Sequence, residues 1–470
     1  MKTEDKKSIE RIQNRVVKFF ERHKKTIAKD DYELVTKLRE EAIRSFEKKE
    51  FLNEKTTANH SKLTDFLLDG FTFQLKPENL NRDSINRFHC EMQDFDFESE
   101  HITLLNSWGN NIVQTLHNGI VIGNMKVAMK LFPNIFEKFF GQAIKNQDNT
   151  LLDLNNAFWQ DGIFIYVPKG KHATLPIQVM KLVDQVSKNL LQTRNLIILE
   201  PNSSLSLMDC DDSINHESNM INSVTEFFVA ENAQLDVYKM QHINDNSVLI
   251  NHSFVKQKAN STVRMNTLSF NGGAIHNNIH VNLDGEGGNA DVFGLYLMDK
   301  KQHVDNQIRI NHNKAHCNSS EQFKGILDDE ATAVFNGYSY VAPNAQKTNA
   351  SQSNNNLLLT SKARINTKPF LEIYADDVKC SHGATVGQLD QEALFYMRSR
   401  GISAANARLL LMYAFAADII NQIRIEPLLL RVDDLVKKRL RGELSICDKC
   451  VLQCSKPQKE LNFDIDMSKI

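Results

Sequence analysis

The fold of this chain is decided by three stretches: NLIILEPNSSLSLMD (195–209), TEFFVAENAQLDVYKM (225–240) and VKQKANSTVRMNTLSF (255–270). In each stretch a small or polar residue leads into a segment in which apolar and polar residues alternate, the pattern of a half-buried strand. Similar units continue to residue 375, most of them at a spacing of roughly 25–30 residues, which is typical of a stacked array. Because one unit cannot bury its apolar face alone, neighbouring units are expected to stack around one continuous core.

The segments between these units contain almost no runs of helical period. Their absence argues against parallel strands linked by helices and leaves a β-solenoid or a β-sandwich. Most joints also lack the Asn-Gly or Asp-Gly pairs of tight hairpins. We therefore predict a mainly β fold, with a parallel β-helix core over residues 151–390.

The N-terminal region, residues 1–150, is predicted to be mostly helical. Apolar residues recur at helical spacing within 5–50. The polar, Asn-rich segment 51–90 is predicted to form loops and irregular connections. Residues 131–144 are predicted to form a helix with Pro133 near its start.

A C-terminal helical segment is predicted over residues 391–445. Its first long helix, 404–423, is apolar almost all the way round and has Ser403 as a candidate N-cap. Pro427 opens a second helix, in which Arg431 belongs to the charged stripe. Such a helix pair has more apolar surface than one packing face covers, so it either docks a partner or caps the end of the solenoid.

The composition is that of an ordinary globular protein, with 41% hydrophobic and 24% charged residues in 470. A net charge of −2 argues against a general binder of nucleic acid or of an anionic membrane surface. No apolar run reaches the roughly 20 residues of a membrane span, and the first residues lack the apolar core of a secretory signal. Seven cysteines, four of them scattered singly, fit a reducing compartment, and we expect the cytoplasm.

Candidate metal ligands stand in the stretch FLEIYADDVKCSHGATVGQLDQEALFYMRSRGI (370–402). It opens as a strand, and if that strand continues far enough, Cys380 and His382 lie on one face, roughly 7 Å apart at Cα. A thiol and an imidazole are good ligands for iron or zinc, but a metal normally takes about four donors. Either further donors come from elsewhere, such as a second chain, or the pair is a buried Cys and a hydrogen-bonded His.

Other motifs point to no cofactor or enzyme chemistry. No phosphate-binding P-loop is present, and the glycine-rich run 285–290 leads into a strand where a dinucleotide site needs a helix. Asp376 and Asp377 are adjacent, so on a strand they would face opposite sides and could not flank one glycosidic bond.

Two further sets of ligand-type residues carry weaker signals. The tail, 446–470, has a spacing that could hold zinc or an iron–sulfur cluster, but no fourth ligand is evident nearby, and a flexible redox-sensitive tail is the alternative. Histidines are also spread through the repeats, and most are expected to be exposed or locally hydrogen-bonded rather than to bind metal. The residues in question are Cys447, Cys450 and Cys454 in the tail, and His276, His280, His303, His312 and His316 in the repeats.

A family resemblance is carried by three segments. They are KTNASQSNNNLLLTSKARINTKPFLEIYADDVKCSHGATVGQLDQEALFYMRSRGI (347–402), HVDNQIRINHNKAHCNSSEQFKGIL (303–327) and LDLNNAFWQDGIFIYVPKG (152–170). These segments closely resemble the SufB/SufD family of the SUF iron–sulfur cluster assembly complex. The resemblance covers most of the chain from about 150 to 425, and nothing is carried over to the N-terminal region or the Cys-containing tail.

This resemblance implies a right-handed parallel β-helix between helical terminal segments. It also implies two partners. A SufB-like paralogue would pair with this chain through the last β-helix strands, and a SufC-like ATPase would dock on the C-terminal helical segment, here about 403–442. Membership of the SufD branch is favoured by Asn354, where SufB has a cysteine, and by Gly383, where SufB has a glutamate.

The family's cluster-site histidine falls on His382, with Cys380 beside it. The resemblance therefore implies a scaffold subunit without catalytic turnover, on which an iron–sulfur cluster is held transiently together with the partner. ATP-driven closure of the ATPases would shift the subunit interface at this site. Two other hypotheses stay open: a homodimeric scaffold that acts without a paralogue, and a β-helix carbohydrate enzyme.

Overall fold

The structure is a computed structural model that describes residues 3–51, 61–76, 98–110, 112–145, 147–185 and 187–442. Helices lie mainly at the two ends of this part of the chain. They are α1 (Thr3–Ile27), α2 (Glu33–Lys48), α3 (Ser61–Leu68), α4 (Met125–Leu131), α5 (Pro133–Phe139), α6 (Thr150–Phe158), α7 (Gln391–Ser399), α8 (Ala404–Ile420) and α9 (Glu426–Leu440).

Strands fill most of the chain between these helices. The first six are short: β1 (Thr72–Phe73), β2 (Glu100–Leu105), β3 (Trp108–Gly109), β4 (Val113–Thr115), β5 (Val121–Asn124) and β6 (Ile163–Val167). The next eight are β7 (Ile177–Val183), β8 (Asn189–Leu199), β9 (Ser204–Ser213), β10 (Met220–Val229), β11 (Gln234–His242), β12 (Val248–Gln257), β13 (Thr262–Asn271) and β14 (Ala274–Leu283). The last seven are β15 (Asn289–Met298), β16 (His303–His312), β17 (Asn318–Leu327), β18 (Thr332–Val341), β19 (Asn349–Leu358), β20 (Arg364–Ile373) and β21 (Lys379–Gly387).

The strands from β6 to β21 wind into a parallel β-helix with two long sheets. Each coil adds one strand to the even-numbered sheet, β6 to β20, and one to the odd-numbered sheet, β7 to β21. Within each of these two series neighbouring strands are parallel, as in Val248↔Ala274 and Thr332↔Arg364, which are 26 and 32 residues apart. The predicted mainly β fold with helical ends and the stacking of repeated units are thereby confirmed.

The core lies between the two sheets, where alternate side chains of every coil stack in columns. One column runs through Leu249, Ile275, Val304 and Ala333, each at most 3% exposed. Full burial of an aliphatic side chain stabilises a fold by about 1.5–3 kcal/mol. A coil without neighbours would leave these side chains half-exposed, so stacking stabilises each strand pair.

Asparagines form three successive turns that lead from the even-numbered to the odd-numbered sheet. Asn202, Asn232 and Asn260 occupy equivalent turns in successive coils, with φ of 57°, 57° and 55°. Asparagine adopts this left-handed conformation more readily than most residues. The side chains also stack, since Asn232 Nδ2 donates to Asn202 Oδ1 at 3.1 Å.

Helices cover the outer faces of both sheets. On the even-numbered sheet, α1, α2, α3 and α6 pack over Leu190, Met220, Val248 and Ala274. On the odd-numbered sheet, α8 and α9 pack over apolar side chains from β9 to β17. No helix in the ranges given above is long and apolar enough to cross a membrane.

One local prediction was wrong, and one condition set in the sequence analysis is not met. Segment 51–90 contains α3 and β1 instead of loops alone, because Leu63, Phe66 and Leu67 recur at helical spacing and are buried. The strand that contains Phe370 begins at Arg364 and does not run on to His382. It ends at Ile373, and the chain bends across 374–378 before it enters the other sheet as β21.

The predicted helix starts agree with the structure. Ser403 is the N-cap of α8, where its hydroxyl accepts from the Asn406 N–H at 3.2 Å. Pro133 lies in the first turn of α5, and Pro427 lies in the first turn of α9. Proline suits this position because its missing N–H would have no partner within the helix.

Candidate functional site

Within the part of the chain that the structure describes, nothing covers the last coil of the β-helix. The even-numbered sheet ends at β20 and the odd-numbered sheet ends at β21, and no strand of the described ranges pairs with the outer edge of either. Large apolar side chains are exposed on this coil: Phe370, Tyr374 and Val386 are 60%, 57% and 48% exposed. We call this surface, formed by β20, β21 and the bend between them, the open end.

The backbone of β20 suits a position at the edge of a sheet. The N–H groups of Arg364 and Tyr374 donate to Ala331 and Val341, so the even-numbered residues of β20 bond towards β18. Pro369 therefore faces the outer edge, where its missing N–H interrupts no bond of the existing sheet. Proline occurs in sheets almost only at such edges.

Cys380 and His382 both lie on β21, two residues apart, and so on one face of the strand. They face inwards, because Cys380 stacks on Ala350 and His382 stacks on Gln352, both buried residues of β19. No further coil among the described residues covers them, and His382 is exposed while Cys380 is half-buried. The two side chains therefore stand at the open mouth of the β-helix interior.

Partial burial affects the protonation of the Cys380 thiol. Its sulfur packs against the small cluster of Val341, Ala345 and Ala375. Burial raises the pKa of Cys380, and a hydrogen bond with the Ala350 backbone lowers it by less. The thiol is therefore protonated near neutral pH in this chain alone, and a metal or a nearby positive charge would have to displace the proton.

A buried polar pair lies beneath His382 in the same column. Gln352 stacks on Glu321 of β17, and its Nε2 donates to Glu321 Oε2 at 3.0 Å. Burial raises the pKa of Glu321 to about 8. The sequence patterns did not single out Glu321. Its inward position follows from the alternation of side chains along β17, because Glu321 is two residues from Phe323, which points into the core.

Asn354 is fully buried in an amide–phenol cluster of the interior. Its Nδ2 donates to Tyr296 Oη at 3.1 Å, and its Oδ1 accepts from Asn356 Nδ2 at 2.7 Å. The phenol in turn donates to Asn356 Oδ1 at 2.5 Å. The position at which the resemblance implies a cysteine in SufB is therefore filled by a hydrogen-bonded amide, and Ala384 stacks above it.

The other candidates do not all fall within the described structure. Asp376 and Asp377 are in the bend before β21, where Asp377 forms an ion pair with Lys347, so they form no carboxylate pair on a strand. The glycine-rich run 285–290 leads into β15, as predicted. Cys447, Cys450 and Cys454 lie outside the described residues.

The histidines of the repeats fall into different environments. His303 bonds to Thr332 and His312 bonds to Ser319, while His316 is exposed in a turn. His276 is buried.

The helices α8 and α9 lie along the flank of the odd-numbered sheet instead of over its end. Arg431, expected on the charged stripe of α9, is 4% exposed and so belongs to the packed side. Lys324 of β17 reaches α8, where its Nζ donates to the Phe415 carbonyl oxygen at 3.0 Å. By contrast, α7 buries none of its residues, and Phe395 is 74% exposed.

Two family models match this chain. One, described as "SUF system FeS cluster assembly, SufBD core domain", matches residues 182–415, and the other, "SufBD protein N-terminal region", matches residues 10–179. Together they cover most of the chain, including the open end.

The names of curated relatives also refer to iron–sulfur cluster assembly. The iron–sulfur cluster assembly protein SufD of Escherichia coli is 33% identical over 299 residues, 63% of this chain and 71% of the relative. An iron–sulfur cluster assembly SufBD family protein of Synechocystis is 33% identical over 61% of this chain and 65% of the relative. The SufD protein of Bacillus subtilis is 25% identical over 69% of this chain and 74% of the relative.

Proposed function

This chain belongs to the SufB/SufD family of the SUF iron–sulfur cluster assembly system, and on that premise we propose that it is a SufD-type scaffold subunit that completes a shared cluster site with a partner. The partner is a SufB-like paralogue bound at the open end. A SufC-like ATPase docks on the segment 403–442. The chain has no catalytic turnover of its own and works in the cytoplasm.

The observation that carries this proposal is the coincidence of the ligand pair with the open end. Unpaired strand edges and exposed apolar side chains are what a second β-helix would cover. His382 and Cys380 lie on the outermost strand of that same coil. A paralogue seated there would face both side chains directly.

The ligand count also favours a partner. Two donors leave roughly half of a normal ligand set to be supplied, and Asn354, buried in its own hydrogen bonds, supplies none. Imidazole is a legitimate iron–sulfur ligand and a weaker donor than thiolate. A cluster held partly by His382 would therefore be easier to release than one held by four thiolates.

The C-terminal helices support the proposed contact with the ATPase. Helices α8 and α9 are anchored on the flank of the odd-numbered sheet, while Leu430 of α9 is 54% exposed. A partner bound to their outer side would be rigidly linked to β15 and β17, next to the last coils. Movement of the ATPases on binding ATP would thus be passed to the interface at the open end.

Co-expression with the two presumed partners tests the proposal. The His382→Ala variant is expected to assemble into the same complex but to reduce cluster formation at least tenfold, measured by the visible absorption of anaerobically reconstituted complex. The matched control is Ser381→Ala on the opposite face of β21, which should mature clusters as the parent does. Equal cluster yield from His382→Ala and parent would refute the site.

Composition of the purified complex tests the partner. A second β-helix chain of different sequence supports the proposal. A complex that holds two copies of this chain and no paralogue would replace it with the homodimeric scaffold.

A further inference from the structure

A second cluster of ligand-type side chains lies on the outer face of the even-numbered sheet. It consists of His276 on β14 and of His303 and Asp305 on β16, and one donor atom from each residue lies within 4.8 Å of the other two. The neighbouring residues Ile275 and Val304 point into the core. The cluster thus lies on the even-numbered sheet and faces outwards, whereas His382 lies on the odd-numbered sheet and faces inwards.

Strand register brings these three side chains together. His276 is the direct neighbour of Asp305, and His303 is the direct neighbour of Ala274. Because Ala274 is small, the His303 ring can lie close to His276, and the two ring centroids are 5.6 Å apart. His276 Nδ1 and Asp305 Oδ2 are 3.9 Å apart, further than a hydrogen bond but close to the spacing of two atoms bound to one ion.

We propose that His276, His303 and Asp305 form a binding site for one divalent transition-metal ion. Two imidazoles and one carboxylate suit ions such as Zn²⁺, Fe²⁺ and Co²⁺, whereas Mg²⁺ and Ca²⁺ take oxygen ligands. With bonds of about 2.1 Å, two donors on opposite sides of an ion lie about 4.2 Å apart, and two donors in tetrahedral positions lie about 3.4 Å apart. Donors that lie within 4.8 Å of one another therefore have to approach by up to about 1.4 Å, which rotation of the side chains provides.

Neighbouring polar groups hold two of the ligands in place. The His303 Nδ1 atom is 2.8 Å from Thr332 Oγ1, so Nε2 on the other side of the ring is the nitrogen that an ion would use. Gln307 Nε2 donates to Asp305 Oδ1 at 2.5 Å, on the carboxylate oxygen that does not face His276. Such outer hydrogen bonds are usual behind metal ligands, where they fix ring and carboxylate orientation.

Burial is consistent with an internal ion site. His276 and Asp305 are 3% and 1% exposed, while His303 is more accessible and gives a side for entry. A cation here would also offset the cost of burying a carboxylate.

Titration of the chelator-treated chain with Co²⁺ tests this site. The full-length protein is used with Cys447, Cys450 and Cys454 changed to serine, so that the tail binds no cobalt. One Co²⁺ per chain should bind, with visible bands but without the near-ultraviolet bands of thiolate ligation. His303→Ala and Asp305→Asn should each weaken binding at least tenfold, and Mg²⁺ should not compete.

Two control variants show whether cobalt binds at this cluster or at other histidines. His280→Asn alters a histidine on the same face of β14, and His316→Ala alters an exposed histidine in a turn, and both chains should bind Co²⁺ as the parent does. Cobalt should raise the unfolding temperature of the parent but not that of Asp305→Asn, a nearly isosteric change. Absence of stoichiometric binding by the parent, or equal affinity in His303→Ala and Asp305→Asn, would overturn the proposal.

Discussion

Glu321 is a carboxyl group in the interior of a β-helix, two coils beneath His382 in one column of stacked side chains. It is 1% exposed, and its hydrogen bond from Gln352 does not offset the cost of burying a negative charge. The result is a pKa raised to about 8. At neutral pH this residue holds a proton in the folded chain that the unfolded chain has lost.

Stability is therefore expected to fall as pH rises through the range between the two pKa values of Glu321. Below about pH 4.5 both states are protonated and there is no penalty, whereas between 4.5 and about 8 only the unfolded state releases the proton. The free energy of unfolding should drop by on the order of 3 kcal/mol between pH 5.5 and pH 8. Glu321→Gln should flatten this drop in urea unfolding followed by circular dichroism.

The control for this experiment is Glu330→Gln. Glu330 is exposed, and its ion pair with Lys362 lowers its pKa, so it is ionised throughout the same pH range. Its substitution should leave the slope unchanged. If the parent shows no loss of stability towards pH 8 beyond that of Glu321→Gln, Glu321 does not carry a raised pKa.

At the scale of elements, β18 and β19 face each other across the interior and are closely packed at Gly337. Gly337 of β18 lies opposite the polar pair, and a Cβ at this position would stand 1.7 Å from Gln352 Nε2 and 2.8 Å from Glu321 Oε1. The core can therefore hold the Gln352 and Glu321 side chains because residue 337 has no Cβ.

Gly337→Ala is expected to destabilise the chain by about 1–3 kcal/mol, because overpacking forces a buried, hydrogen-bonded pair to move. Gly383→Ala is the matched control, since a Cβ there meets nothing within 4 Å. Urea unfolding midpoints of the two variants measure the difference. Equal midpoints would mean that the Gln352 side chain is not fixed as described.

Sequence periodicity predicted the repeated strands because alternation and a constant coil length are local properties. The boundary between β20 and β21 was not predicted, because apolar Leu371, Ile373 and Ala375 continue the alternation into the bend, and no glycine or proline marks the end of the strand. Strands β2 to β5 were not predicted either, since segments of two to six residues are too short to show an alternation of apolar and polar residues.

The candidate site was predictable only in part. Side-chain alternation placed Cys380 and His382 on one face, whatever the exact strand bounds. The position of β21 at the open end depends on which coil is the last, and no local pattern contains that information. His276 and Asp305 are 29 residues apart and meet only through strand register, so spacing along the chain gave no sign of them.

At the scale of the whole molecule, the two proposed docking surfaces are separate. Val386 lies at the open end, on the same face of β21 as His382, while Leu430 lies on the outer side of α9. Both side chains are about half-exposed, 48% and 54%. One surface can therefore be altered without touching the other.

A lysine substitution at either position should remove one partner from the complex and leave the other bound. Val386→Lys places a charge in the apolar contact and should abolish co-purification of the SufB-like paralogue while the ATPase is still recovered. Leu430→Lys should give the reverse pattern, because burying an unpaired ammonium group at either interface is costly. Quantitative mass spectrometry of the purified complexes measures both. Loss of both partners, or of neither, from each variant would contradict separate surfaces.

The unpaired edges of β20 and β21 have a consequence for how much of this protein reaches its paralogue in a cell. A strand edge can pair with any compatible strand, and Pro369 blocks only one bonding position on β20. Copies made in excess of the paralogue would pair with each other at their exposed coils, a contact that closes into a homodimer. Balanced synthesis of the two chains would then favour the mixed pair, and expression of this one by itself should give a homodimer fraction that rises with its concentration.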